Sequence, residues 1–278
     1  MSRADLTFID NCRHILANGI SSEGEEVRPK WPDGTPAHTL RVFGLVNRYD
    51  LSAEFPALTL RRLAFKSAVD EILWIWQKKS NNVRELNSRI WDAWADKDGT
   101  IGKAYGYQLG LKHRYKEGMF DQVDRVLFDL KNNPTSRRIM TNMYNFDDLH
   151  DMALYPCAYG MTFNVANGRL SAILHQRSQD FLTANNWNVA QYAVLLHMFA
   201  IAAGLEVGEL VHVIADAHIY DRHIPIVEEL TRLEPRPAPR LAVNPDFRDF
   251  YLFRVSDFRL VGYEPHDFNE RHKFEVAV

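Results

Sequence analysis

Hydrophobic positions recur at helical spacing in two long stretches and alternate with polar ones in several shorter ones, which predicts interleaved helices and strands. Over residues 60–79, Leu60, Leu63, Ala64, Ala68, Ile72, Leu73 and Trp76 fall on one stripe and predict a well-buried helix. Over residues 188–203, Val189, Tyr192, Ala193, Leu196, Ala200 and Ala203 do the same. Gly204 then suits the position just past a helix end. Another helix is expected over 122–132, closed by Asn133-Pro134. A shorter helical or turn segment carries Trp91 and Trp94. Strands are expected at 41–51 and 211–220, with two more at 253–263 and 274–278. Residues 21–38, rich in Glu, Pro and Gly, read as a long exposed loop, functional or disordered.

The strongest local signal is Asn167-Gly168, the pair that favours a two-residue hairpin loop. The run 161–165 precedes it and a strand over 169–178 follows. With those two residues as the loop, Cys157 faces Ser178 with Cβ atoms roughly 5 Å apart. Arg177 is next door. A thiol beside an arginine has a lowered pKa, and the thiolate is the reactive form. A lone cysteine is also commonly a small buried hydrophobe. Strict alternation puts Ser178, not Arg177, on the face of Cys157, so the arginine needs a bulge or a frayed strand end to reach the sulfur. The pattern leaves both readings of Cys157 open.

Strands and helices do not follow a strict βαβ rhythm. The expectation is therefore α+β, with a mixed or antiparallel sheet flanked by long buried helices. No linker separates two cores, so a single domain over residues 1–278 is expected.

Composition narrows the class. A hydrophobic share of 46% and a charged share of 25% are those of an ordinary soluble globule. The net charge of −3 gives no basic field for nucleic acid, which is not expected as the main partner. The cysteines, Cys12 and Cys157, form no disulfide framework. No apolar stretch is long enough for a membrane span, and the N-terminal residues do not resemble a signal peptide. A cytoplasmic, non-membrane protein is expected.

Several weaker signals fail. Gly99-Thr100-Ile101-Gly102-Lys103-Ala104 lacks the glycine spacing of a phosphate loop and the Ser or Thr after its lysine. No G-x-G-x-x-G opens a helix, so no dinucleotide site is expected, and His218 and His223 lie in no zinc motif of this Cys-poor chain, so no metal is expected. Asp216, His218 and Tyr220 share one strand face, which is either an exposed edge or a polar binding surface.

Taken in order, these motifs carry a resemblance. Cys157 follows a proline; Gln176-Arg177-Ser178-x-Asp180, Asn188 and Asp216-x-His218-x-Tyr220 come after it. Upstream stand Asp70-Glu71-Ile72-Leu73-Trp74, Ile90-Trp91-Asp92-Ala93-Trp94, Tyr105-Gly106-x-Gln108 and Asn133-Pro134-x-Ser136-Arg137-Arg138. This set resembles the thymidylate synthase family over residues 8–278. It is most similar to the branch carrying the loop Trp31-Pro32-Asp33-Gly34-Thr35-Pro36-Ala37-His38-Thr39-Leu40.

The resemblance implies reductive methylation of dUMP to dTMP, with 5,10-methylenetetrahydrofolate as co-substrate. It implies Cys157 as nucleophile toward uracil C6. Arg28, Arg177 and Ser178 would hold the phosphate, joined by Arg137 and Arg138 of a second subunit in a homodimer that pairs through the sheet and shares its sites. Without the resemblance, the arginine pair is a solvated turn. Asn188 would read the pyrimidine; otherwise it is a helix N-cap. His218 and Tyr220 would bind the sugar, and Glu71 would relay a proton to O4. Asp180, Trp91 and Trp94 would face the folate, Tyr105 would assist deprotonation at C5, and the tail ending at Val278 would close over the ligands.

Departures from the commoner family pattern are Ala158 in place of His, Thr162 in place of Gln and Ala215 in place of Gly. Alternatives are a dUMP hydroxymethylase of the same fold, which ends with water instead of hydride, and a non-catalytic RNA-binding paralogue. Cys12 is expected to be a buried, inert thiol.

Overall fold

The computed structural model describes residues 1–244, 248–272 and 274–278. In chain order its helices are α1 (Arg3–Asn18), α2 (Phe65–Trp76), α3 (Gly106–Gly110), α4 (Gln122–Asn132), α5 (Asn185–Ala203), α6 (Ile224–Leu230) and α7 (Phe268–Arg271). Its strands are β1 (Ile20–Ser21), β2 (Thr39–Asp50), β3 (His113–Tyr115), β4 (Gly118–Phe120), β5 (Met140–Asn142), β6 (Ala158–Ala166), β7 (Arg169–Asp180), β8 (Glu206–Tyr220), β9 (Arg240–Val243) and β10 (Phe258–Val261). The main sheet runs β1-β2-β8-β7-β6-β5. The pair β7–β8 is parallel and the other neighbours are antiparallel. The fold is α+β with a mixed sheet.

Helices α1 and α5 pack on one face of this sheet, and α2 packs behind α5. In α2 every residue from Ala68 to Trp76 is buried. Helix α5 is almost as fully enclosed, as expected for a helix apolar on all sides. The opposite sheet face stays open, with Phe43 90% and Val46 60% exposed on β2.

Four expected elements differ. Helix α2 begins at Phe65, not at residue 60. Leu60 and Leu63 are buried in an irregular segment, where the Tyr263 hydroxyl accepts from the Leu63 N–H and donates to the Leu58 carbonyl, both at 2.9 Å. Apolar spacing there marks burial, and a distant tyrosine supplies the hydrogen bonds that a helix would have made. Helix α5 starts at Asn185, so Asn188 lies within its first turn and is not its cap.

The strand expected over 253–263 is a 3-10 turn at 255–257 followed by β10. The one expected over 274–278 does not form. Instead Val278 exchanges two backbone hydrogen bonds with Lys30, each 3.0 Å. Residues 21–38 form the largely exposed loop that was expected, with buried anchors at Ser22, Trp31 and Ala37. Trp31 is buried, donates from Nε1 to Asp221 at 2.9 Å and lies under the Arg222 guanidinium.

Candidate active site

The hairpin turn forms at Asn167 and Gly168, both with positive φ (50° and 74°), the conformation a type I′ turn needs. From Gly160–His175 to Ala166–Arg169 the pairing follows the two-residue loop. A bulge between Ala158 and Gly160 then shifts the register by one residue, so Ala158 pairs with Gln176. The Arg177 N–H donates to the Cys157 carbonyl at 2.9 Å. Ser178 is therefore not opposite Cys157; Arg177 is. Bulges re-aim side chains in this way at functional positions. The guanidinium is pinned by Nε to Pro156 O at 3.0 Å and by Nη2 to Tyr155 O at 2.7 Å, which leaves Nη2 3.7 Å from Cys157 Sγ.

The expected depression of the thiol pKa is not found. Burial pushes the Cys157 thiol above its ordinary value, while Arg177 first, then Arg28 and a hydrogen bond with Tyr105, pull it back. In this pocket desolvation outweighs the nearby positive charge.

Tyr105 reaches Cys157 from strained backbone, with φ 47° and ψ −105°. Its neighbour has to be glycine, since a Cβ on Gly106 would lie 2.3 Å from the Ser80 carbonyl oxygen. The Tyr105 hydroxyl accepts from the Cys157 N–H at 3.0 Å. Burial raises its own pKa strongly. Such strain persists only where surrounding structure holds it, commonly at functional sites.

Cys157 opens onto a cavity of about 410 Å³, also lined by Arg28, Trp94, Arg177, Ser178, Asp180, Asn188, His218, Tyr220 and Val278. That volume suits a nucleotide-sized ligand. Residues from the loop after β1, both central strands, helix α5 and the C-terminal tail converge there. The sheet explains why the polar strand positions face the ligand space. Burial parity changes on the same rung of two paired strands: after Gln176 in β7 and after its partner Ile214 in β8. Beyond that rung, Gln179, Ala217 and Ile219 are buried, and Ser178, Asp180, Asp216, His218 and Tyr220 line the cavity.

Asp216 Oδ1 and His218 Nδ1 lie 2.7 Å apart, so the imidazole is oriented by the carboxylate. Burial raises the Tyr220 hydroxyl pKa, which keeps it a neutral donor. Asp180 accepts from the N–H groups of Leu182 and Thr183 and from the Thr183 hydroxyl.

Glu71, Trp91 and Tyr105 stand behind the lining residues. Trp91 packs against Trp94 and Tyr105, at 5.6 and 5.3 Å between ring centroids. Its Nε1 donates to Glu71 Oε1 at 3.0 Å, and Trp187 Nε1 donates to Oε2 at 2.6 Å. Both carboxylate oxygens thus hold an indole donor. Burial nevertheless lifts the Glu71 pKa to about 7, against the pull of Trp187, Trp91 and Gln191. A group that changes charge near neutrality is suited to proton relay. Arg137 and Arg138 are exposed and lie apart from this cavity; Arg138 lines a different depression beside Arg125 and Asp129.

Sequence reasoning had no role for Trp187, Gln191 or His212. Trp187 and Gln191 belong to the same turns of α5 as Asn188. An aromatic one residue before a candidate asparagine was the only available hint.

Comparison with known proteins agrees with this geometry. The thymidylate synthase family model matches residues 6–278. The chain is 47% identical to the thymidylate synthase of Bacillus phage phi3T and 46% identical to thymidylate synthase 1 of Bacillus subtilis strain 168, each alignment covering 100% of both chains. Among solved structures it is similar to thermostable thymidylate synthase A from Bacillus subtilis, with a TM-score of 0.94 and 45% identity over 99% of each chain. The chain belongs to the thymidylate synthase family.

Proposed function

We propose that the cavity around Cys157 carries out the family's reaction, the reductive methylation of dUMP to dTMP, with 5,10-methylenetetrahydrofolate as one-carbon and hydride donor. The observation that carries the reading is Cys157 Sγ at 3.7 Å from a guanidinium that two backbone carbonyls hold in place. The Cys157 thiolate adds to uracil C6, and the electron pair moves to C5 as an enolate. C5 then attacks the one-carbon unit. Covalent attachment divides a difficult substitution into easier steps. Loss of the C5 proton expels tetrahydrofolate and leaves an exocyclic methylene on C5. Hydride from that tetrahydrofolate reduces it to methyl as the Cys157–C6 bond breaks, releasing dTMP, dihydrofolate and the free thiolate.

Arg28, Arg177 and Ser178 provide charge-assisted donors for the phosphate. His218 and Tyr220 bind the deoxyribose hydroxyl, and Asn188 reads uracil. Glu71 passes a proton toward O4, and Tyr105 assists at C5. Trp94 and Asp180 face the folate, and Trp91 braces Trp94 from behind. The apolar tail through Val278 keeps water from the exocyclic methylene. Residues 1–278 are read as one catalytic domain working in the cytoplasm, a compartment that suits two free cysteines. Among the described residues no helix is long and apolar enough to cross a membrane.

The protein acts as a twofold dimer with Arg137 and Arg138 lent to the partner's phosphate site. Two facts support this: both arginines lie outside their own cavity, and the open sheet face exposes large apolar side chains. Mixing Arg138→Ala with Cys157→Ala subunits is expected to restore activity to up to about a quarter of wild type, the statistical yield of one intact shared site per heterodimer. No recovery above either parent counts against sharing.

Turnover of dUMP and methylenetetrahydrofolate, followed by dihydrofolate absorbance and nucleotide mass, tests the whole reading. dTMP with stoichiometric dihydrofolate is the expected outcome. Hydroxymethyl-dUMP without dihydrofolate would make the enzyme a hydroxymethylase and would direct attention to Ala158 and Thr162.

A further inference from the structure

A buried chain of side-chain hydrogen bonds runs behind the wall of the cavity and passes through Asn188. At one end His212 Nε2 lies 2.7 Å from Gln176 Oε1. Gln176 Nε2 lies 3.0 Å from the Ser178 carbonyl oxygen and 3.2 Å from Asn188 Oδ1. Asn188 Nδ2 lies 3.2 Å from Gln191 Oε1, and Gln191 Nε2 lies 3.2 Å from the Ala68 carbonyl oxygen. His212, Gln176 and Gln191 are all buried. Of these, only Gln176 lines the cavity with Asn188.

The polarity of this chain is determined at its ends. A backbone carbonyl can only accept, so Ser178 O requires the nitrogen end of Gln176, and Ala68 O requires the nitrogen end of Gln191. The Gln176 oxygen must then face His212, whose Nε2 therefore carries the proton. His212 Nδ1 is buried without a partner, consistent with that tautomer, and burial holds the ring neutral with a pKa near 3. Between two fixed neighbours Asn188 has one acceptable orientation. Turning its amide over would oppose two N–H groups at Gln176 and two oxygens at Gln191. Each buried group left unmatched costs about 1–3 kcal/mol.

Each end of the Asn188 amide keeps one further bonding position: a second lone pair on Oδ1 and a second hydrogen on Nδ2. The cavity is therefore offered one acceptor and one donor. Uracil presents a matching N3–H and O4. Cytosine presents a bare N3 and an amino group, which oppose both.

We propose that Gln191 and His212, acting through Asn188 and Gln176, are positioning residues that determine specificity: they lock the Asn188 amide in the orientation that accepts uracil and rejects cytosine. The proposal rests on Asn188 reading the base.

Calorimetric binding of dUMP and dCMP, without folate, tests it in Gln191→Met, His212→Phe, Gln191→Glu and Asn188→Ala, with thermal unfolding of each. The ratio of the two dissociation constants is the readout, because a general packing defect weakens both nucleotides alike. The ratio is expected to fall about tenfold in Gln191→Met and in His212→Phe, the effect of about one hydrogen bond. Gln191→Glu should retain more of it where its carboxyl is protonated, because one oxygen then still accepts from Asn188 Nδ2 and the O–H donates to the Ala68 carbonyl. An unchanged ratio in Gln191→Met or in His212→Phe, with the ratio lost in Asn188→Ala, overturns the positioning role. An unchanged ratio in Asn188→Ala overturns instead the base-reading assignment beneath it. Gln191→Met and His212→Phe act from opposite ends of the chain, so either one, if it folds, decides the matter.

Discussion

Cys157→Ala is expected to lower turnover by at least about 10⁴-fold, the scale of removing a covalent nucleophile, while dUMP affinity changes only a few-fold. The split follows from the geometry. The Cys157 side chain is the proposed source of the attacking sulfur, and the donors proposed for phosphate, sugar and base are on Arg28, Arg177, Ser178, Asn188, His218 and Tyr220. The Arg177 guanidinium is held mainly by the backbone oxygens of Tyr155 and Pro156, which alanine at 157 leaves in place. Stopped-flow turnover beside equilibrium dUMP binding checks both halves. Activity within tenfold of wild type would remove Cys157 from the nucleophile's role. Loss of binding in parallel with turnover would make the sulfur a structural element of the pocket.

Glu71→Gln is expected to cost about 10²–10⁴-fold in kcat, the usual contribution of a positioned acid or base. Any limb of the wild-type pH–rate profile centred near 7 should be absent from the variant. Stability offers a second, independent reading. Burial raises the folded-state pKa from the ordinary 4.5 to about 7, so the folded protein binds this proton more tightly than the unfolded chain does. The associated stability is fully present below about 4.5 and is lost as pH rises through about 7.

The full change is on the order of 3 kcal/mol. Glutamine cannot titrate and lacks that dependence. It also sets an NH₂ group against one of the two indole donors, a fixed penalty of about 1–3 kcal/mol at every pH. The difference in unfolding free energy between variant and wild type should therefore shift toward the variant between pH 4 and pH 8. Denaturant titrations across that range measure it. A difference independent of pH would mean that Glu71 does not carry the raised pKa.

Sequence reasoning read the elements well where local chemistry controls the backbone. Asn167-Gly168 set the hairpin because both positions adopt positive φ. The stripes on α2 and α5 marked helices that are indeed buried. It misread boundaries where distant groups complete the hydrogen bonding, as Tyr263 does for residues 58–63. The segment expected as a C-terminal strand finds its partner in Lys30, far along the chain, and no local pattern announces such a pairing. Trp31 lay hidden in a loop of polar composition because its burial depends on Asp221 and Arg222.

Residue type and nearest neighbours sufficed for the hairpin, the buried helices and the α+β class, and they nominated candidates for the chemistry. How those candidates meet depended on long-range contacts. The bulge exchanged Ser178 for Arg177 opposite Cys157. Burial outweighed the guanidinium at the thiol, and two indoles from separate segments closed on Glu71. Backbone carbonyls at Ser178 and Ala68 oriented an amide that neither of them touches. Desolvation, register and hydrogen-bond polarity depend on what the rest of the chain brings alongside, and no stretch of sequence contains that.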